Sequence, residues 1–386
     1  MTSPELSILM VTFGARDWAE RALEAVHANT DVPFEVIVVD NGSADGTPEM
    51  IAERFPDVQL VRNEENAGFG RANNQAAALA RAPVLALVNS DAIVPAGWAP
   101  PLLEQLARDG IGVVVPALVH DDGRLQAAGA VLGADGSVLG LGDGEDPADP
   151  AYAFPRICDF GAAACMLLRR DAFEAVGGFD TRYHPAYFED VDLCMSLAAR
   201  GWQTLYDPRV RVLHGVFGSG GHEQAADLFW RNREPFLERW GAELVSTRVP
   251  TVWPVDPART LAARDALTLG RVLVLCGDEL PVSDSELAAL CDPGRRLRVT
   301  LVAAGGDGAA WLARGAEVLV TPDPETIVRG RAGHYDVIVG VTRAVADAVR
   351  EHQPQAVIGD TVAAGARLVR ELVQPPVARG PHNRLG

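Results

Sequence analysis

The 386-residue chain contains no lysine; all 34 of its basic residues are arginine. That absence removes Schiff-base enzymes, which need a lysine amine, and P-loop nucleotidases, which need the lysine of GxxxxGK. The richness in Ala, Gly and Arg points to genomic base composition as the cause, and the exclusions hold either way. Cysteine is scarce as well. Cys158, Cys165, Cys194, Cys276 and Cys291 are odd in number and scattered, with no CxxC pair for zinc or redox work. They read as reduced, mostly buried thiols of a cytoplasmic protein. No apolar run reaches 18 residues, so no transmembrane segment is expected. Met1 to Ser7 is too short and acidic for a signal peptide. Positive charge is in deficit: 34 basic against 52 acidic residues give −18 and a pI near 4.8. Such a surface repels nucleic acid and anionic lipid unless its positive charge is clustered.

What remains is a chain that folds. Hydrophobic residues make up 48% and charged residues 22%, ordinary for globular proteins, and the length suits two domains of about 100 to 200 residues each. Short apolar runs at Leu6 to Thr12, Glu35 to Val39, Val58 to Val61, Val84 to Val88 and Gly112 to Val115 suit a parallel sheet buried on both faces. Between them Arg16 to Ala28, Pro48 to Arg54, Arg71 to Ala80 and Trp98 to Ala107 read as helices, with Thr47 as N-cap and Pro48 at the first helical position. Repeated strand-helix-strand units predict a doubly wound α/β sheet, with ligands at the carboxyl ends of its strands. From Asp121 to Pro155 the periodicity weakens, and Gly140 to Ala151 is expected to be a mobile surface loop too polar to pack. A second strand-helix alternation follows a proline-rich stretch. The expected division is therefore a first domain over 1–246, a linker over 247–269, a smaller Rossmann-like α/β domain over 270–374 and a tail over 375–386. In the linker, 247 to 258 carry three prolines. Leu228 to Trp240 mixes aromatics with Arg and is interrupted by Pro235. Packing against the first domain is its expected role.

The residues just after each strand are the candidates for chemistry. Asn89-Ser90-Asp91 presents an amide and a carboxylate at a strand end. A Mg²⁺ or Mn²⁺ ion bridging two phosphates needs few protein ligands, commonly one or two carboxylates, although the same residues also make plain turns. Asp40-Asn41-Gly42-Ser43 ends the second strand, and its acceptors could read a nucleobase or ribose or simply turn the chain into a helix. Asn66 to Asn74 places Gly68 and Gly70 before a helix, allowing close backbone approach, with Arg71 available for a phosphate. Phe188-Glu189-Asp190-Val191-Asp192 brings three carboxylates to a helix start. There they complement the helix macrodipole or supply a general base. His214, before the Gly-rich 215–221, could offer an imidazole to a metal or serve structurally.

In their order and spacing, VVDNGSADGT, NAGFGRANN, NSD, GGFD and YFEDVDLCMSLAARGW resemble family 2 inverting glycosyltransferases of the GT-A fold, and within them the bacterial rhamnosyltransferase-like branch. The resemblance covers roughly residues 6 to 244. It implies an enzyme that moves a sugar from a nucleoside-diphosphate donor, dTDP-rhamnose-like or a UDP-sugar, to a hydroxyl of a glycan or small-molecule acceptor, with Mg²⁺ or Mn²⁺ as cofactor. Carried over by position, Asp190 is the base, with Glu189 beside it. Asp40 contacts the nucleobase, Asp91 the metal and diphosphate, and His214 the metal. The nucleotide-sugar site then comprises Thr12, Phe13, Asp40, Asn41, Asn66, Gly68, Arg71, Asn74, Asn89, Ser90 and Asp91. Asn89 stands where the metal motif's first Asp would stand, which removes one negative charge. Residues 270 to 373 resemble, more weakly, the N-terminal half of a GT-B glycosyltransferase of the family 4 type. That implies a remnant used for packing, homodimerisation or partner binding. Two other classes remain to be weighed. One is a non-catalytic nucleotide-sugar-binding or scaffold protein, which Asn89 favours. The other is a sugar-phosphate nucleotidyltransferase, which usually depends on a lysine that this chain lacks.

Overall fold

Alternation along the first strands decides how the sheet is buried. In β1 (Leu6–Thr12), Ile8 and Met10 face one apolar cluster and Leu9 the other. In β2 (Phe34–Asp40), Val36 and Val38 go one way and Ile37 and Val39 the other, and β4 (Val84–Val88) repeats the pattern. Side chains of a strand point alternately to its two faces, so apolar runs of this kind need a layer of helices on each face. α1 (Arg16–Asn29), α2 (Thr47–Arg54) and α4 (Ala99–Leu106) cover one face. α3 (Phe69–Leu79), α5 (Arg170–Val176), α6 (Glu189–Ala198) and α7 (His222–Thr247) cover the other.

The computed structural model describes residues 3–215, 222–248, 264–265, 267–276, 281–305, 311–312, 314–359 and 362–373. The chain divides into two compact units, Met1–Leu267 and Thr268–Gly386. In the first, β1, β2, β4 and β3 (Gln59–Arg62) run parallel in the order β4-β1-β2-β3. Beyond β4 the sheet turns mixed. β11 (Cys165–Arg169) is antiparallel to both β4 and β6 (Ile111–Val119), β12 (Gln203–His214) is parallel to β6, and β10 (Arg156–Cys158) is antiparallel to β12. Two short strands finish it, β5 (Ala92–Ile93) against the end of β12 and β7 (Leu125–Ala127) against β6. β8 (Ala130–Leu132) and β9 (Val138–Gly140) form a separate hairpin. The expected α/β architecture with a mostly parallel sheet is the one observed.

Several local expectations differ. Thr47 is the first helical residue of α2, not its cap. The Asp45 carboxylate accepts from the Thr47 amide and hydroxyl. Gly140 to Ala151 is laced to β7 through Gly144 N–H to Leu125 O at 2.8 Å and Leu125 N–H to Glu145 O at 2.9 Å, with Leu141 buried. Its side chains are polar, but its backbone groups pair as any near-surface segment requires. α7 runs unbroken through Pro235, because Phe236, Trp240 and Leu244 beyond it are buried in the core. That burial is the packing role expected of Leu228 to Trp240. At the expected linker, Thr247 still belongs to α7 and Arg248 grips Asp159 with contacts from 2.5 to 3.2 Å. Arg264 is buried and donates to Ala151 O. The three prolines lie at 249–263, outside the described residues.

The second unit is a five-stranded, all-parallel sheet. Its strands are β13 (Gly270–Cys276), β14 (Leu297–Ala303), β15 (Glu317–Val320), β16 (Val337–Val339) and β17 (Val357–Gly359), in the order β15-β14-β13-β16-β17. The order reverses beside β13, as in doubly wound folds. Helices α8 (Asp284–Leu290), α9 (Pro324–Gly330), α10 (Ala346–His352) and α11 (Val362–Val373) supply the layers, and separate apolar clusters fill the two faces. α8 begins with a reciprocal cap between Ser283 and Glu286. Across the described residues of both units, no helix is long and apolar enough to cross a membrane.

Candidate active site

At the carboxyl ends of β1 and β2 the structure turns Asp40 inward. Its Oδ1 accepts the Gly42 and Ser43 amides at 3.2 and 2.9 Å, and its Oδ2 accepts the Thr12 and Ser43 hydroxyls at 2.8 and 2.5 Å. A carboxylate has about four acceptor positions, so at 1% exposure Asp40 is spent on shaping the loop. Thr12 is likewise buried within the network. The side chain the loop does present is Phe13, 44% exposed, a flat apolar surface at the mouth of the β1 end.

Asn41 and Asn66 belong to a brace. Asn41 Nδ2 donates to Asn66 Oδ1, Asn63 donates to Asn41, and Asn66 Oδ1 also accepts the Gly68 amide at 2.8 Å. Gly68 has φ +84°, and a Cβ there would lie 2.7 Å from His184 Nδ1 and 3.0 Å from Pro185 O, so only glycine fits. Phe69 N–H donates to Pro185 O at 2.7 Å. Arg71 emerges at the first turn of α3, exposed and with no bonded partner among the described residues, free to meet an anion. Asn74 is not free. Its amide pairs in both directions with the Phe179 backbone, at 2.8 and 2.9 Å, which ties α3 to the GGFD turn.

Asn89, Ser90 and Asp91 follow β4, and the chain then enters β5. Because β5 pairs with the end of β12, His214 lies opposite Ala92, and its Nε2 stands 3.3 Å from Asp91 Oδ1. Gln126 completes the group. Its Oε1 lies 2.7 Å from His214 Nδ1, and its Nε2 reaches the His214 carbonyl at 3.4 Å. A carboxamide oxygen only accepts, so Nδ1 carries a hydrogen, and Nε2 faces Asp91, donating to it when the imidazole is protonated and offering a lone pair to a metal when it is neutral. That is how metal-binding imidazoles are commonly oriented. Among the described residues no cluster of three or more His, Cys, Asp or Glu could hold a metal alone. Asp91 and His214 supply one carboxylate and one imidazole, a donor pair that suits a divalent ion whose other positions are filled by phosphate oxygens and water. Asn89 and Ser90 are half-buried beside them.

The acidic run sits across a two-residue bridge. Asn89 N–H donates to Ala164 O at 2.9 Å, and Ala163 N–H donates to Asp190 Oδ2 at 3.3 Å, so neighbouring residues join the Asn89–Asp91 strand end to Asp190. Glu189, 6% exposed, packs near Gly70, and its Oε2 has no hydrogen-bond partner. Burial, and secondarily the Asp190 charge, push the Glu189 carboxyl well above its ordinary range. Burial raises Asp190 too, against backbone N–H groups that favour its anion. Of two adjacent carboxyls in one low-dielectric site, the less hydrogen-bonded one keeps the proton. Glu189 is that one, and its carboxyl is the one raised further. Asp192, by contrast, is consumed by Tyr183, Arg239 and Trp240 at 2.7 to 3.1 Å.

The structure thus joins Asn89 and Asp190 through one bridge, sets His214 against Asp91 and places Glu189 next to Asp190 in the chain, while the side chains of Asp40, Asn41, Asn66 and Asn74 are bonded within the protein. Sequence reasoning missed Gln126, a lone amide with no spacing signal. The Gly-rich 216–221 lies outside the described residues.

The profile of Glycosyl transferase family 2 matches residues 7–177. The chain is 31% identical over 257 residues to an N-acetylglucosaminyl-diphospho-decaprenol L-rhamnosyltransferase of Mycobacterium tuberculosis, covering 60% of this chain and 83% of that one. It is also 31% identical to an uncharacterized protein, y4gI, of Sinorhizobium fredii, over 62% of this chain but only 28% of the relative's length. It is 28% identical to the O-antigen biosynthesis protein RfbC of Myxococcus xanthus, over 55% of this chain and 17% of that one. Among solved structures, GalNAc-T7 with UDP, GalNAc and Mn²⁺ covers 62% of this chain and 48% of its own at 17% identity, with a TM-score of 0.49.

Proposed function

Because this chain belongs to glycosyl transferase family 2, we propose that it transfers a hexosyl group, with inversion, from a nucleoside-diphosphate sugar to an acceptor hydroxyl of a glycan or small molecule. One observation carries the reading: Asn89, two residues before the phosphate-side Asp91, and the proton-accepting Asp190 are bonded to consecutive residues of one bridge, Ala164 and Ala163. Asp190 takes the acceptor's hydroxyl proton while the acceptor oxygen bonds to the anomeric carbon. The bond from that carbon to the diphosphate oxygen breaks, and the nucleoside diphosphate departs with the electron pair. A base with a raised pKa accepts the proton more readily. Glu189, holding its own proton, keeps a second negative charge out of the pocket. Arg71 meets the diphosphate, and Phe13 offers a face to the nucleobase. Asp91 and His214, oriented by Gln126, would hold Mg²⁺ or Mn²⁺. Such an ion, when bound, neutralises charge on the leaving diphosphate.

Likeness to the rhamnosyltransferase favours a dTDP-rhamnose-like donor over a UDP-sugar. A cytoplasmic location and a role for the second unit in self-association complete the proposal. The alternative, a binding protein that keeps the fold without turnover, is favoured by Asn89, which weakens the charge of the metal site. A thermal-shift screen separates the readings, since a ligand that binds only the folded state raises Tm. dTDP- and UDP-sugars should raise Tm with Mn²⁺, Asp91→Ala should abolish the metal-dependent part, and the wild type should release nucleoside diphosphate. Binding without any release would favour the alternative.

A further inference from the structure

The loop that delivers Asp190 is bent in a costly way. Tyr187 and Phe188 are consecutive non-glycine residues at φ +77° and +73°, in the left-handed region that side chains disfavour. They turn the chain into the first residue of α6. Something must hold that turn. From one side Phe69 N–H binds Pro185 O. From the other, α7 presents Phe229, Asn232 and Phe236, at the three- and four-residue spacing that shares one helix face. The rings of Phe229 and Phe236 lie 4.8 and 5.0 Å from that of Phe188. Asn232, 3% exposed in the middle of this apolar face, donates both of its amide hydrogens, one to Ala186 O at 2.8 Å and one to Tyr187 O at 3.0 Å. Its Oδ1 accepts from Arg231 Nε at 3.2 Å, which settles the orientation of the amide, and a second Arg231 nitrogen donates to His184 O.

We propose that Asn232 is a positioning residue of the transferase: by clamping the carbonyls of Ala186 and Tyr187 it sets the left-handed turn that aims Asp190. The proposal rests on the reading of Asp190 as the base. A buried carboxamide on an apolar face is a liability unless every group is bonded, and here all are. α7 packs most of its buried surface as apolar side chains, so a leucine at this position would pack equally well without the clamp. The amide therefore answers to the loop rather than to the core. α7 also lies outside residues 7–177, so the helix that completes the site is not part of the segment matched by the family profile.

Asn232→Leu keeps the branched shape and removes both donors; Asn232→Ser restores one. Leu244→Ala, a buried site on the same helix away from the loop, matches them as a destabilised control. Two readouts are taken on the full chain well below Tm. Hydrogen exchange of the 186–192 amides should quicken in Asn232→Leu, recover in part in Asn232→Ser and stay unchanged in Leu244→Ala, with 34–43 unaffected in all three. In nucleoside diphosphate release from dTDP- and UDP-sugars with Mn²⁺, kcat should fall roughly 10- to 100-fold in Asn232→Leu, the scale of a misplaced catalytic group, with donor KM within about threefold. Unchanged exchange at 186–192 would overturn the clamp. Faster exchange with wild-type kcat, or an equal loss of kcat in Leu244→Ala, would overturn the positioning role. The exchange arm needs no turnover, so a failure of the transferase reading would show in the wild-type kinetics and a failure of the clamp in the exchange.

Discussion

Two acidic loops stand at the same edge of the sheet, and they are built on opposite principles. Around Asp40 every acceptor is used: two amides on one oxygen, two hydroxyls on the other, all within the loop. Around Glu189 and Asp190 the bonding is thin. Glu189 Oε2 has no partner, and Asp190 receives only backbone N–H groups. A saturated carboxylate has its acceptor positions taken up by its own loop. A starved one has its pKa raised and is poised to exchange a proton. The same residue type is thus framework in one loop and reagent in the other, and burial alone does not tell them apart.

Substituting the two aspartates breaks the comparison most directly. Asp190→Asn preserves size and removes the proton acceptor, so transfer should fall by about 10² to 10⁴ with donor affinity retained. Near wild-type transfer by the folded variant would end the mechanism. Asp40→Ala should do the reverse. It strands two hydroxyls and two amides, at a cost of about 3 kcal/mol, which for a unit of this size lowers Tm on the order of 6 to 12 °C. Transfer by the folded fraction should drop far less than in Asp190→Asn. If Asp40→Ala instead melted like the wild type and lost all donor binding, Asp40 would be a ligand group and the contrast would collapse.

The starved loop also carries a pH signature. Transfer needs ionised Asp190, so the rate should fall as pH drops through a pKa displaced upward from the ordinary carboxylate range by burial. Stability runs the other way. Glu189 binds its proton more tightly folded than unfolded, so between its unfolded and folded pKa values the native state holds more protons, and stability declines as pH rises. Glu189→Gln removes that titration. Its Tm relative to wild type should therefore climb as pH rises from the ordinary carboxylate range toward the raised folded pKa, while its acid limb of transfer stays near that of the wild type. A Tm difference independent of pH would show that Glu189 ionises freely, as a framework carboxylate does.

How far all this was legible depends on which interactions are local. Periodicity located β1, β2 and β4 to within a residue or so, and with them the strand ends where Phe13, Asp40 and Asn89 to Asp91 emerge. The Glu-Asp pair at a helix start was visible as a run. The pairing of Asp91 with His214 came only from the family resemblance that put both on one metal; periodicity could not show it, because it depends on β5 meeting the far end of β12, and nothing in a two-residue strand announces its partner. Gln126 and Asn232 are single amides whose meaning lies entirely in the carbonyls and imidazole they reach. The sequence could not reveal that Asp40 and Asn74 are already spent, since an acceptor's identity says nothing of how many donors fold around it. Pro235 pointed to a break in α7 because it cannot donate to the helix ladder. Burial of Phe236, Trp240 and Leu244 beyond it outweighs that one lost bond.

The smallest effect expected comes from removing the second unit, which tests whether both loops are complete within the first. Every residue assigned to either loop or to its supports lies before residue 249, and the second unit has its own sheet and its own apolar clusters. A chain ending at Leu267 should therefore keep kcat and donor KM within about threefold of the full chain, as expected for domains with separate cores. Where the cut falls matters. Ending at Leu244 would strip Arg248 from the buried Asp159, whose loss of its partner costs about 3 kcal/mol, and would take away Arg264 from beneath Ala151. The shorter chain should melt several degrees lower, with the kinetics of its folded fraction unchanged. Loss of donor binding in a folded chain ending at Leu267 would mean that the second unit supplies part of the site, and the contrast between the two loops would then need a third participant.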